Sequence, residues 1–265
     1  GAAMSLLLAF QQTAITRLPK TAGSTDTSVF GPDTFTVGSD QTLTAYNSSW
    51  VLLDNSNDVS VMAATDDLRA NTPIGNPSRA RWDSACQADQ KIQGDITLGS
   101  AANSYVALMV RMDSTTTEVG SGYFAQWYPG SGFINFYRVS GGGSPGYTLL
   151  AQVGTVVVST TYANAFLSVR GVGGTVYITY GDDTNGSFTF EDTTAGRWIT
   201  GKPGIEIFES SVPLNSSCDN LAVYENQFTV LRMTGAAPIV TSSGAGAGLT
   251  ITPGTGSLTL TGRTA

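Results

Sequence analysis

The 265-residue chain has no histidine, two cysteines and three lysines, and only 12% of its residues are charged. Each scarcity excludes something. Without histidine, the commonest general base, the commonest metal ligand and the physiological pH switch are all missing, and most hydrolase triads go with them. Cys86 and Cys218 are too far apart for a zinc knuckle and too few for a disulfide framework. That leaves either two buried free thiols or a single bridge between sheets. The net charge of −7 comes from scattered carboxylates, and no basic stripe exists to neutralise a phosphate backbone, so nucleic acid is not an expected partner. The longest apolar start, "SLLLAF", is far shorter than the roughly 18 residues of a spanning helix and has no basic flank, so neither membrane insertion nor a signal peptide is expected.

What is abundant is glycine, 31 residues, together with Ser, Thr and Asn, a mixture that favours strands and turns over helices. Helical periodicity is hard to find. Alternating runs of four to eight residues recur instead, among them "DTFTV", "SRARWDSA", "YVALMVRM", "GYFAQWY", "FINFYRV", "YTLLAQV", "FLSVRGV", "TVYITY", "GIEIFES" and "NLAVYE". So many strands in one chain mean two stacked sheets or a closed barrel. "YPGSG", "GGGSPG" and "GVGG" are connections for antiparallel neighbours, and the Asn-Gly step in "GDDTNGS" suits a hairpin tip.

Gly1-Ala2-Ala3 ahead of Met4 reads as the remnant of a tag. Residues 4–27 are expected to be an N-terminal strand or docking segment, 28–225 a sandwich and 226–265 a Gly/Ser/Thr-rich β tail. Charge almost vanishes in the tail, where Arg263 is the only charged residue after Arg232. "GLTITPG" and "SLTLTG" alternate with period two, which predicts short strands in need of a partner.

The order of the landmarks resembles the laminin-G-like, concanavalin-like jelly rolls found as lectin and carbohydrate-binding modules. The resemblance runs from "DTFTVGSDQTLTAYNSSWVLLD" through "ARWDSA", "YVALMVRMD", "GYFAQWYPGSGFINFYRV" and "AFLSVRGVGGTVYITYGDD" to "GRWITGKPGIEIFESS…CDNLAVYE". It implies an all-β, two-sheet antiparallel β-sandwich with short β appendages. The terminal stretches "MSLLLAFQ" and "GLTITPGTGSLTLTG" are also similar to segments of tailed-phage structural proteins, which implies a virion or extracellular location, with other virion subunits or copies of itself as partners. In the jelly-roll family the first and last strands lie side by side, often holding a structural calcium. Asp33 and Asp219 would then meet, and Ca²⁺ would draw its oxygens from strand ends there. The local alternative is that Asp219 and Asn220 cap a turn with their own side chains.

Enzymatic readings of this fold meet obstacles in the residues. Glycoside hydrolysis needs two carboxyls across a cleft, and Glu206 and Glu209 in "IEIFES", three apart in a strand, fall on opposite faces. The lyases of the fold use a His with Tyr, Arg and Gln, and only a Tyr-based mechanism would survive here. No catalytic residue is assigned. Glycan binding asks for aromatic faces with amides, guanidinium groups and hydroxyls beside them. Strand parity puts Val106, Leu108 and Val110 on one face, with Arg111 on the other. It likewise sends Trp127 inward and Gln126 and Tyr128 outward, and sets Asn135, Tyr137 and Arg170 against apolar neighbours. Arg111, Gln126, Tyr128, Asn135, Tyr137 and Arg170 are therefore the candidate ligand residues, on one outer face, for a glycan or host-surface polysaccharide. The expected function is a non-enzymatic carbohydrate-binding or adhesion module on a phage particle. Its rivals are a purely structural virion or decoration protein and a glycan-active hydrolase or lyase.

Overall fold

The computed structural model describes residues 26–226 apart from 54–57, 72–74, 114–120, 141–145, 173, 195–196 and 213–214, and the backbone of four strands between 229 and 262. Asp26–Asn226 forms one compact unit, and residues 1–25 and 227–265 belong to another.

Among the described residues the main unit holds two antiparallel sheets. The first runs β14 (Gly186–Asp192), β13 (Thr175–Asp182), β12 (Thr161–Val172), β7 (Gln90–Thr97), β16 (Ser217–Asn226), β5 (Asp67–Ala70), β4 (Val59–Met62) and β2 (Gln41–Thr42), with β1 (Asp26–Asp33) also paired to β16. The second runs β11 (Gly146–Val153), β10 (Phe133–Ser140), β9 (Gly122–Tyr128), β8 (Tyr105–Met112), β15 (Lys202–Phe208), β6 (Ser78–Trp82) and β3 (Trp50–Leu52). One helical turn, α1 (Leu43–Tyr46), is capped by Thr42, whose hydroxyl accepts from the Ala45 amide. The sheets share one core, so the unit is a β-sandwich, as the sequence implies.

Alternation explains most of that core. In β7, Ile92 and Ile96 point inward between the partly exposed Lys91, Gln93 and Asp95. Trp50, Trp82 and Trp127 are buried in the core and Trp198 packs against it, with Trp127 inward as parity requires. The Trp127 indole donates to Asp182 at 2.8 Å, so this carboxylate at the end of β13 is a 3% exposed structural acceptor. The strands joined by "YPGSG", "GGGSPG", "GVGG" and "GDDTNGS" all pair antiparallel.

Two irregularities redirect side chains. The first is at Arg111, whose φ of +56° breaks the alternation of β8. Val110 faces the main core, yet Met112 joins Met109, Leu53, Phe124 and Val139 in a second, smaller apolar cluster. The opposing β15 shifts register between Lys202 and Gly204. Gly201, at φ +127°, lies so close that a Cβ would fall 2.2 Å from the Arg111 carbonyl carbon, so glycine is required there. The second is at Asn220, φ +50°, where β16 slips against β7 between Asp219 and Ala222. On its other edge β16 pairs with β5 at Ser217 and Cys218 and with β1 from Leu221 onward. Asp219 and Asn220 therefore occupy the bulge at which one strand exchanges partners.

In the tail, β17 (Thr229–Met233) pairs with β20 (Leu258–Gly262), and β18 (Ile239–Thr241) with β19 (Thr250–Thr252), two nested antiparallel ladders. The expected docking stretch "SLLLAF" lies outside the described residues.

Candidate glycan-binding groove

Register places one polar row straight across the outer face of the second sheet. Arg79 on β6 opposes Glu206 on β15, and Glu206 opposes Ala107 on β8. Ala107 opposes Gln126 on β9, Gln126 opposes Asn135 on β10, and Asn135 opposes Gln152 on β11. The rows on either side are aromatic. Phe208, Tyr105 and Tyr128 form one wall, the first pair stacked at 5.0 Å and the second edge-to-face at 6.0 Å. Phe124, Tyr147 and Tyr137 form the other, with Tyr147 stacked on Phe124 at 5.9 Å and edge-on to Tyr137 at 6.0 Å. Because Ala107 carries only a methyl group between these walls, a hollow of about 370 Å³ opens above it.

Glu206 is 2% exposed at the floor of this hollow. Its Oε2 accepts from Arg79 Nε at 2.5 Å, and its Oε1 accepts from the Tyr105 hydroxyl. Desolvation works to lower the Arg79 pKa, but the adjacent Glu206 carboxylate more than compensates and the guanidinium stays charged. Burial, and then Glu206, push the Tyr105 and Tyr147 hydroxyls well above the ordinary phenol value. Burial and the nearby Tyr128 raise Tyr137. At neutral pH the groove therefore presents protonated phenols, an amide and one internally compensated ion pair. The amides continue as a ladder: Asn135 donates to Gln126 at 3.3 Å and accepts from Gln152 at 2.9 Å.

Of the candidates taken from the sequence, Gln126 and Tyr137 line the groove, Tyr128 backs one wall and Asn135 extends the polar row. Two placements are corrected. Arg111 is 1% exposed and donates to the Ala88 carbonyl at 3.0 Å, the Trp198 carbonyl at 2.7 Å and Asp89 at 3.0 Å. It fastens β8 to the start of β7 because the positive φ turns it off the outer face. Arg170 lies on β12, in the other sheet, with its guanidinium 5.5 Å from the Tyr177 ring centre. Parity within a strand says nothing about which sheet that strand joins.

Arg79, Tyr105, Tyr147, Glu206 and the Ala107 floor were not assigned from the sequence. A signal was present. In "SRARW" the arginines alternate with core Ala80 and Trp82, and in "GIEIF" Glu206 sits between core Ile205 and Ile207. What was missing was the adjacency of β6 and β15, which are about 120 residues apart. Glu209 is indeed elsewhere, accepting from the Ser216 amide.

The Asp33 and Asp219 strands do lie side by side. Both oxygens of Asp33, however, accept from the Tyr46 hydroxyl at 2.9 and 2.8 Å, and one also takes the Phe35 amide at 2.8 Å. Burial raises the Asp219 pKa, with Asp95, Asp67 and Asp66 adding to it, while its own Oδ1 accepts the Asn220 amide. Among the described residues no group of three or more His, Cys, Asp or Glu is placed to hold a metal. The pair therefore does not fit a calcium ion as it stands, and Asp219 serves its own turn. Cys86 and Cys218 are both free.

The chain matches no protein-family model and no curated protein sequence. Solved structures similar to it in fold include the carbohydrate-binding module CBM66 from Bacillus subtilis, at 18% identity and TM-score 0.44, covering 67% of this chain and 92% of that one. The Ca²⁺- and Man2-bound exoplasmic/lumenal domain of VIP36 is similar at 14% identity and TM-score 0.45, covering 67% and 81%. The metal-free lectin I-B4 of Griffonia simplicifolia is similar at 10% identity and TM-score 0.40, covering 71% and 99%. These similarities concern the fold. The class defined by the sheets is a two-sheet antiparallel β-sandwich.

Proposed function

We propose that the chain is a non-enzymatic carbohydrate-binding or adhesion module that seats a glycan in the groove over Ala107. The observation that carries this is a polar floor between two aromatic walls, since a sugar ring offers apolar faces to aromatics and hydroxyls to amides, carboxylates and guanidinium groups. Binding is favoured over catalysis because Glu206 is the sole carboxylate among the groove's described lining residues, whereas hydrolysis uses two. The tyrosines, with raised pKa values, are also poor bases. The placement on a phage particle, as part of a virion or extracellular assembly, rests on the character of the termini.

The test is a glycan microarray followed by calorimetry on wild type and Ala107→Phe. The ring should fill the hollow and reduce affinity at least about tenfold, with the melting temperature little changed. Equal binding by Ala107→Phe would move the site elsewhere. No glycan binding at all would favour the structural virion role.

A further inference from the structure

The geometry points to Glu206 as a selectivity residue that cancels Arg79, so that the groove accepts neutral glycans and rejects acidic ones. This rests on the glycan reading above and names the ligand class that the same groove takes.

An arginine on the floor of an aromatic groove would ordinarily recruit a carboxylate or sulfate, because its planar fork matches those anions. Here the Arg79 Nε is engaged by Glu206 Oε2 at 2.5 Å, and register fixes the two residues directly opposite each other on neighbouring strands. The other carboxylate oxygen accepts from Tyr105, so the anion is held by two partners within a site where it is 2% exposed. A uronate arriving above Ala107 would meet the Glu206 carboxylate first, because register sets Glu206 between Ala107 and Arg79 and the guanidinium behind it is already committed to that carboxylate. A neutral sugar hydroxyl, by contrast, can donate to the carboxylate and accept from a tyrosine without upsetting the pair. The Tyr147 side chain is 44% exposed and lines the same hollow as Glu206 and Arg79, so it can serve as that tyrosine.

The probes are neutral hexose oligosaccharides printed beside their uronic-acid counterparts of the same linkage, with binding read for wild type, Glu206→Gln and the double variant Arg79→Gln/Glu206→Gln. Wild type should favour the neutral member of each pair by at least about tenfold. Glu206→Gln should raise the acidic-to-neutral ratio at least about tenfold by releasing the guanidinium. The double variant should fall between the two, with the repulsion gone and the cation gone. If Glu206→Gln does not fold, as breaking one side of a buried pair often causes, the double variant decides alone, since removing both charges is better tolerated. A ratio in the double variant no higher than in wild type, or a wild type that already prefers uronates, overturns the inference while leaving the glycan reading intact. If wild type binds neither member of any pair, the glycan reading fails and this inference with it.

Discussion

Arg111→Leu separates a structural arginine from a ligand-binding one. Arg111 is 1% exposed and supplies three hydrogen bonds, to the carbonyls of Ala88 and Trp198 and to Asp89. Leucine would leave those two carbonyls without their donor, at about 1–2 kcal/mol each, and would remove the partner of a mostly buried carboxylate. The Asp89 carboxyl already has its pKa raised by burial, against the pull of Gly171 and Arg111, so losing the guanidinium uncompensates a desolvated charge. The sum is about 3–5 kcal/mol, the range for breaking a buried ion pair. For a unit of roughly 200 residues that is a drop of about 10 °C in melting temperature. Urea unfolding followed by tryptophan fluorescence measures it, and Arg111→Lys should recover part of the loss. Glycan affinity of the folded fraction should not change. A loss below about 1 kcal/mol together with weakened glycan binding would show that Arg111 faces the ligand and that the bulge has been misjudged.

Gly201→Ala should destabilise by about 2 kcal/mol or more, because its Cβ would collide with the Arg111 backbone at 2.2 Å and its φ is +127°; a melting curve like that of wild type would refute the close approach. Burial acts to raise the Asp192 pKa, but the Thr194 hydroxyl and amide, the Tyr123 hydroxyl and Arg138 hold it below its ordinary 3.8. Its contribution to stability is thus present above about pH 4 and lost as pH falls through the depressed folded value, so Asp192→Asn should flatten the acid limb of the stability curve. An unchanged slope between about pH 5 and pH 2 in the variant would contradict this. Burial, then Glu225, push the Cys86 thiol up to about 12, and Cys218 is fully buried with its pKa raised well above normal. Neither should react with an aromatic disulfide reagent at pH 8 until the protein unfolds, when two thiols should titrate; fast labelling of native protein would refute it.

The strand content, the antiparallel turns and the inward set Val106, Leu108, Val110 and Trp127 were legible in the sequence because side chains alternate with period two wherever one face is buried. The same rule failed at Arg111. One residue at positive φ shifts the phase of everything after it, and no composition or spacing announces that a non-glycine will adopt αL. The candidate site was half legible for a related reason. Gln126 and Tyr137 could be placed on an outer face by parity alone, but that Glu206 meets Arg79 depends on β15 inserting between β8 and β6, a pairing across well over a hundred residues. By itself, then, the sequence determined the class of fold, through local alternation and turn chemistry, and excluded whole chemistries by lacking histidine and basic stripes. Only the tertiary structure decided which strands became neighbours. That choice turned scattered outward residues into a polar row between aromatic walls, because strand order is set by the burial of two whole sheets rather than by any short stretch of chain.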